Sequence, residues 1–212
     1  MRARVAQVLV TAVTVLLLAG GSCKSGKSGG PDPTVPTKPA PATTTTTVPA
    51  DPYAIPNVID EAYVNRVLAA LDQIDGDVLR RVVATGGIDP EVLKMLRAIY
   101  NDPQYEIELQ SLRDLLGRGF GNFKSPPGNR RTLVDRLVTA GQGCILIEAE
   151  TEFSQVLKNE PPDLPEEIEL FTLRSIQQGA KERGLNPTPW SIVNAEVIKR
   201  GATPKQRATC DE

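Results

Sequence analysis

Between residues 24 and 50 the chain holds six prolines and seven threonines but no aromatic residue, leucine or isoleucine. A segment so poor in apolar side chains cannot bury enough surface to offset the entropy of ordering it. Its prolines stiffen it toward an extended form, about 3 Å per residue at the limit. Whatever folds must therefore be built from the residues on either side. The run Thr43 to Thr47 has the composition of an O-glycosylated stalk.

The N-terminal side is too small to be a domain. Arg2 and Arg4 precede a mostly apolar run, Val5 to Ala19, broken by Gln7, Thr11 and Thr14. A spanning helix needs about 20 apolar residues, so this run suits a cleaved export signal. It leads into Leu18-Ala19-Gly20-Gly21-Ser22-Cys23. This resembles a bacterial lipoprotein signal, in which a cysteine just after the apolar run is acylated and becomes the new N-terminus. Gly21 and Ser22 match the small residues of that pattern, whereas Gly20 stands where an aliphatic residue is usual. The alternative is ordinary signal-peptidase cleavage using Ala19 and Gly21 as the small pair. The expected layout is a signal peptide over 1–22, a tether over 23–50, and one α+β domain with a polar tail over 51–212. The resemblance implies a membrane anchor at Cys23, on the outer face of the cytoplasmic membrane in the cell envelope. Without lipidation the protein would be secreted.

From residue 51 onward 19 basic side chains face 25 acidic ones, and the whole chain has a formal net charge of -2. That balance argues against a nucleic-acid partner, which calls for a basic patch or stripe. The chain contains no histidine, which removes Ser-His-Asp and Cys-His catalysis, histidine metal sites and a histidine pH switch.

The first part of the domain repeats with helical period. Tyr63, Val67, Leu71, Ile74, Val78 and Val82 mark one buried stripe. Gly76 is expected to break it, and Gly86-Gly87 to end it. Asp89-Pro90 and Asp102-Pro103 each offer a capping carboxylate before a proline suited to the first helical position. The last helix, with Tyr105, Leu109, Leu112 and Leu116, is expected to stop at Gly117.

From Arg131 the period becomes strand-like. Leu133 to Thr139 and Cys144 to Thr151 flank a hairpin loop, Ala140-Gly141-Gln142-Gly143. A second pair, Ile168 to Gln177 and Trp190 to Val197, is joined by the polar stretch Gly179 to Pro189. Helices followed by an antiparallel meander predict an α+β fold, with N-terminal helices packed on a curved four-stranded sheet.

That element order, over residues 57 to 197, resembles the nuclear-transport-factor-two/ketosteroid-isomerase-like superfamily. Pro189-Trp190-Ser191-Ile192-Val193 is similar to the last strand of such domains. The tether beside such a domain is similar to exported actinobacterial lipoproteins of unknown function. The resemblance implies a cone between helices and sheet that serves as an active site, a small-molecule pocket or a packed core. It also implies acid–base work by a pocket carboxylate and a tyrosine where the domain is an enzyme. Fold analogy does not choose among these.

Few residues carry chemistry. Cys144 and Cys210, left over once Cys23 is lipidated, are expected to pair in an oxidising compartment. Two cysteines without histidine make a poor zinc set, so no metal is expected. Glu148, Glu150 and Glu152 alternate along one strand, with Asp135 on its neighbour. Asp135, Glu148 and Tyr63 are the only acid–base set the resemblance allows; the plainer reading has Cys144 and Leu146 buried and the glutamates in water. The glycines of Gly117-Arg118-Gly119-Phe120-Gly121 read as a helix end, since no strand and no Lys-Ser/Thr pair makes them a phosphate loop. Lys124, Arg130 and Arg131 read as a solvated basic loop, and Trp190 as core. The expected function is a non-catalytic domain binding a small ligand or an envelope protein, with no cofactor. The alternatives are an isomerase- or dehydratase-like enzyme and a homodimeric interaction module.

Overall fold

The computed structural model describes residues 53–159, 167–176, 184–199 and 210. The signal, Cys23 and the tether lie outside the described residues, as do Gln177, residues 179–183 of the 179–189 connection and most of the tail.

Three helices precede four strands: α1 Glu61–Thr85, α2 Pro90–Ile99, α3 Gln104–Arg118, then β1 Arg131–Ala140, β2 Cys144–Glu152, β3 Glu167–Ser175 and β4 Trp190–Lys199. The strands form one antiparallel sheet in the order β1-β2-β3-β4. The fold is α+β, as the order of periods implied.

Helix α1 starts where Asp60 accepts the Tyr63 N–H at 2.7 Å. It stops where Gly86 takes φ 68°, a left-handed turn that costs glycine little. Gly76 does not break it. A Cβ at that position would collide with the Asn129 carboxamide, which takes a hydrogen bond from Arg80 Nη1 at 2.7 Å and donates to Gln73 Oε1 at 2.6 Å. The glycine lets a loop lie against an unbroken helix.

Asp89 caps α2 as expected, accepting from the Glu91 and Val92 N–H groups. Asp102 does not cap α3. Pro103 occupies the cap position without a side-chain bond, and Asp102 instead meets Arg97 at 3.0 Å. Arg97 also lies over the Tyr105 ring, 3.4 Å from its centroid, so the corner is held by that cation. Helix α3 runs one residue past Gly117 and ends at Gly119, where φ reaches 81°.

The main core lies between the helices and one face of the sheet. It joins Val64, Leu68, Leu71, Val78, Val92, Leu96 and Ile99 to Ile145, Ile147, Ala149, Phe171, Leu173, Trp190 and Ile192. The opposite face carries a smaller cluster, Leu146 and Leu170 with Ile198 and Cys210. Cys144 and Cys210 stand at disulfide distance, their sulfurs 2.06 Å apart. Trp190 is core, wholly buried. Its Nε1–H donates to Tyr63 Oη at 2.8 Å.

Among the described residues, the first part of each edge strand is capped by side chains or loop. Along β1, Asn65 and Asp72 of α1 accept the main-chain N–H groups of Val134 and Thr132 at 2.9 and 2.7 Å. Along β4, the Asn101 N–H donates to Ile192 O at 3.0 Å, and Asn101 Nδ2 to Ser191 Oγ at 2.9 Å.

Candidate functional site

The residues expected to do acid–base work are kept apart. Tyr63 points into the helix-side core, where it accepts the Trp190 hydrogen bond; burial raises its pKa, against the opposing pull of that bond and of Arg66. Glu148 alternates with Ile147 and Ala149, which line that core, and opposes Leu170 of the second cluster. It therefore lies on the far face of the sheet. There Arg136 Nε donates to Glu148 Oε2 at 3.0 Å and Arg136 Nη2 reaches Oε1. Asp135 is exposed at a register shift between Val134 and Arg136. A carboxylate–tyrosine set of Asp135, Glu148 and Tyr63 is not formed, because the strand that carries the glutamate turns it away from the helices. Of the alternating glutamates, Glu148 is buried while Glu150 and Glu152 are exposed, so the strand dips under cover toward its start.

The structure assembles a different cluster between helices and sheet. Its centre is Arg130, which is mostly covered where a solvated side chain was expected, whereas Arg131 beside it is exposed. The chain after α3 runs along the segment after β2: Lys124 N–H donates to Val156 O, Gly128 N–H to Gln155 O, and Lys158 N–H to Asn122 O. With Asn129 pinned to α1, Arg130 enters the interface. Its Nε donates to Asp72 Oδ1 at 2.8 Å, with Asp75 Oδ2 at 3.5 Å. Its Nη2 donates to Tyr100 Oη at 3.1 Å, and that hydroxyl donates to Asp75 Oδ1 at 3.1 Å. Asp72 also takes Thr132 N–H and Thr132 Oγ1–H, at 2.7 and 3.0 Å.

The polar chain continues across the strands. Thr132 Oγ1 lies 3.4 Å from Thr151 Oγ1, and Thr151 donates to Glu169 Oε2. On α3, Gln104 Nε2 donates to Glu108 Oε1 at 2.7 Å while Gln104 Oε1 accepts the Ala195 N–H of β4 at 3.1 Å. Six elements, α1, α3 and all four strands, together with Tyr100 after α2 and Arg130 before β1, thus contribute to one polar layer. Val197 opposes Glu169 on the same face yet is 41% exposed, so the helices leave this end of the sheet partly open.

Charge in this layer is constrained by its surroundings. Burial pushes the Asp72 carboxyl up, and Asp75 adds to that, while Arg130 and the Thr132 N–H pull it down. Burial likewise raises Glu108, helped by Asp75 and Glu169 and opposed by Arg130 and Gln104. Burial opposes the charge of Arg130, but Asp75, Tyr100, Asp72 and Glu108 outweigh it and hold the guanidinium firmly protonated. Tyr100 is raised well above the usual range, chiefly by burial. Burial thus favours a proton on Asp72 and Glu108, and the fixed cation Arg130 opposes it. Among the described residues, no three cysteine or carboxylate side chains stand where they could share a metal ion. No described helix is long and apolar enough to cross a membrane.

Sequence reasoning singled out Arg130 as a basic residue but missed Asp72, Asp75, Tyr100, Glu108 and Glu169. One signal was readable. Val64 and Leu68 form a second buried line on α1, and the next position on it is Asp72, a carboxylate in a core place. No protein-family model matches the chain, and neither does any curated protein or solved structure compared with it.

Proposed function

We propose that the protein is an exported cell-envelope lipoprotein, anchored through acylated Cys23, whose domain binds a ligand or envelope partner without catalysis. The separation of Tyr63, Asp135 and Glu148 by the thickness of the sheet and by exposure is the observation that carries the non-catalytic part. The apolar leader, the cysteine after it and the Pro/Thr tether support the location. Helices on one face of a four-stranded sheet are compatible with the nuclear-transport-factor-two-like resemblance, and that assignment remains part of this reading.

The binding region we favour is the partly open end of the helix–sheet layer, between Glu108 of α3 and Glu169 and Val197 of the strands. Native mass spectrometry of the chain recovered from its natural host tests the reading. A co-purifying small mass or a bound partner supports it. Bare protein, with turnover of a substrate that is lost in Glu108→Gln, overturns it. For the anchor, Cys23→Ser should move the protein from the membrane to the soluble fraction; retention on the membrane would sink the lipoprotein assignment.

A second reading has one observation in its favour. Burial raises the Glu108 carboxyl against the pull of Arg130, and a raised carboxyl is what a general acid requires. An isomerase- or dehydratase-like activity would then rest on Glu108, not on the carboxylates read from the sequence.

A further inference from the structure

The face of the sheet turned away from the core is out of solvent, although the described helices pack on the other side. Its side chains lie in rows across three strands, Leu146–Thr172–Asn194 and Glu148–Leu170–Glu196. Leu170 and Thr172 are 0% exposed, and Leu146 and Glu148 are buried. Asn194 Nδ2 is buried with them. Side chains lose their solvent this completely only beneath other protein atoms. Among the described residues, the one side chain from outside the strands in this cluster is Cys210. On β1 the same face is open, with Arg136 60% exposed. The cover therefore spans β2, β3 and β4 and stops short of β1.

Two fixed points say what the cover is. Lys199, the last residue of β4, opposes Glu167 at the start of β3. Cys210 is bonded to Cys144, which opposes Arg174 near the end of β3. From the row of Glu167 to the row of Arg174 is about 23 Å along the strands, and β4 lies about 10 Å from β2 across them. The chain from Lys199 to Cys210 must therefore cover about 25 Å, and eleven residues reach at most about 38 Å. That length suffices for a direct diagonal over β3 and leaves little slack for a detour. The other side of the sheet is filled by the core. Charge agrees with this course. Residues 200–209 carry Arg200, Lys205 and Arg207 and no acidic side chain. Midway along the diagonal, Leu170 is flanked by Glu148 and Glu196, and Lys205 stands midway along the segment.

We propose that the outer face of β2, β3 and β4 is the docking surface of this chain's own residues 200–209, with Lys205 set over the Glu148–Leu170–Glu196 row. The Cys144–Cys210 bond fixes the far end of the segment to the sheet. That face is then taken, so neither a second copy nor an envelope partner sits on it while the cysteines are bonded. The helix side is left as the side on which a partner meets the domain. This goes beyond the proposed binding role, which lies on that helix side.

Carbodiimide cross-linking of the oxidised full chain, mixed from isotope-labelled and unlabelled copies, tests it. The reagent joins a lysine amine to a carboxylate in contact with it. Peptide mapping should find Lys205 joined to Glu148 or Glu196 within one copy. Three results would overturn the docking: Lys205 unjoined while Lys94 couples to Glu91, 3.6 Å away; Lys205 joined to a carboxylate of the helices; or a join between labelled and unlabelled copies, which puts a second copy on the face. A chain ending at Lys199 gives a second readout. With its Trp190 emission unchanged, it should bind the apolar dye ANS several-fold more than the full chain, and equal binding would also overturn the docking. The cross-link is read on the intact chain, so it decides the matter even where the shortened chain does not fold. Neither readout involves a ligand, so failure here is separable from failure of the binding role.

Discussion

The Asp72 carboxylate accepts the main-chain N–H of Thr132 at 2.7 Å, so a helix side chain does at the edge of β1 what a neighbouring strand's carbonyl would do. The same carboxylate meets Arg130 at 2.8 Å. One side chain thus closes a sheet edge and neutralises a half-buried cation.

Asp72→Ala should be among the most damaging single changes in the helical layer. It leaves Arg130 short of a partner and the Thr132 N–H buried without an acceptor. Breaking a buried pair from one side costs about 3–5 kcal/mol, and urea denaturation would read it directly. A loss below about 1 kcal/mol would mean that Asp75 takes over both roles.

Tyr63→Phe removes the acceptor of the Trp190 indole N–H in a closed core. The expected cost is about 1–3 kcal/mol for an unsatisfied buried donor. The chain has a single tryptophan, so its fluorescence reports on this one site in the core. An unchanged emission maximum together with unchanged stability would contradict the geometry.

At Gly76 two effects oppose each other. Alanine favours a helix interior by about 1 kcal/mol over glycine. The new methyl group must displace an Asn129 carboxamide held from both sides, an overpacking cost of about 1–3 kcal/mol. The clash should win, and Gly76→Ala should lower Tm. A higher Tm would mean that the 129 loop yields freely.

Carboxyls that the fold raises favour folding at low pH. Asp72 and Glu108 are both raised, chiefly by burial. The folded state then binds protons that the unfolded chain has already lost. Their support is full below the unfolded carboxyl range, near pH 4, and is lost as pH rises through the folded values. Asp89 works the other way. The Val92 N–H bond holds it low, so its support is present above the unfolded range and lost as pH falls through the folded value. Comparing Glu108→Gln with the parent isolates one group. The variant should be the more stable protein at neutral pH, with the gap closing toward pH 4, and a constant gap across that range would refute the assignment.

Cys144 and Cys210 are 66 residues apart in sequence. A bond between them should stabilise by about 4 kcal/mol through the entropy of the unfolded chain. Cys210→Ser should lower Tm accordingly, and non-reducing peptide mapping should recover the two cysteine peptides joined. Separate peptides would refute the pairing.

Much of the fold was legible because period and punctuation agreed. The strand starts at Cys144 and Trp190 match the residues where alternation begins, and Asp89 and Gly86 end their helices as their chemistry dictates. Asp102 misled because a carboxylate before proline offers a cap without requiring one, and a nearby Arg97 competed for it. The polar layer was not legible. Asp72, Tyr100, Glu108, Arg130 and Glu169 are far apart in sequence, and only the packing of α1 and α3 over the sheet gives them one address. Glu148 was placed on the right strand, yet alternation says which residues share a face and not which face meets the helices.

The entry segment has a mechanical consequence. Tyr53 Oη donates to Asn186 O at 3.2 Å, and Gln142 Nε2 to Pro56 O at 2.8 Å. The chain is therefore fastened beside the start of β4 and at the β1–β2 turn before α1 begins. Tension drawn along residues 24–50 meets those two bonds first and passes into the sheet, so the first turn of α1 is shielded from being peeled away by its own leash.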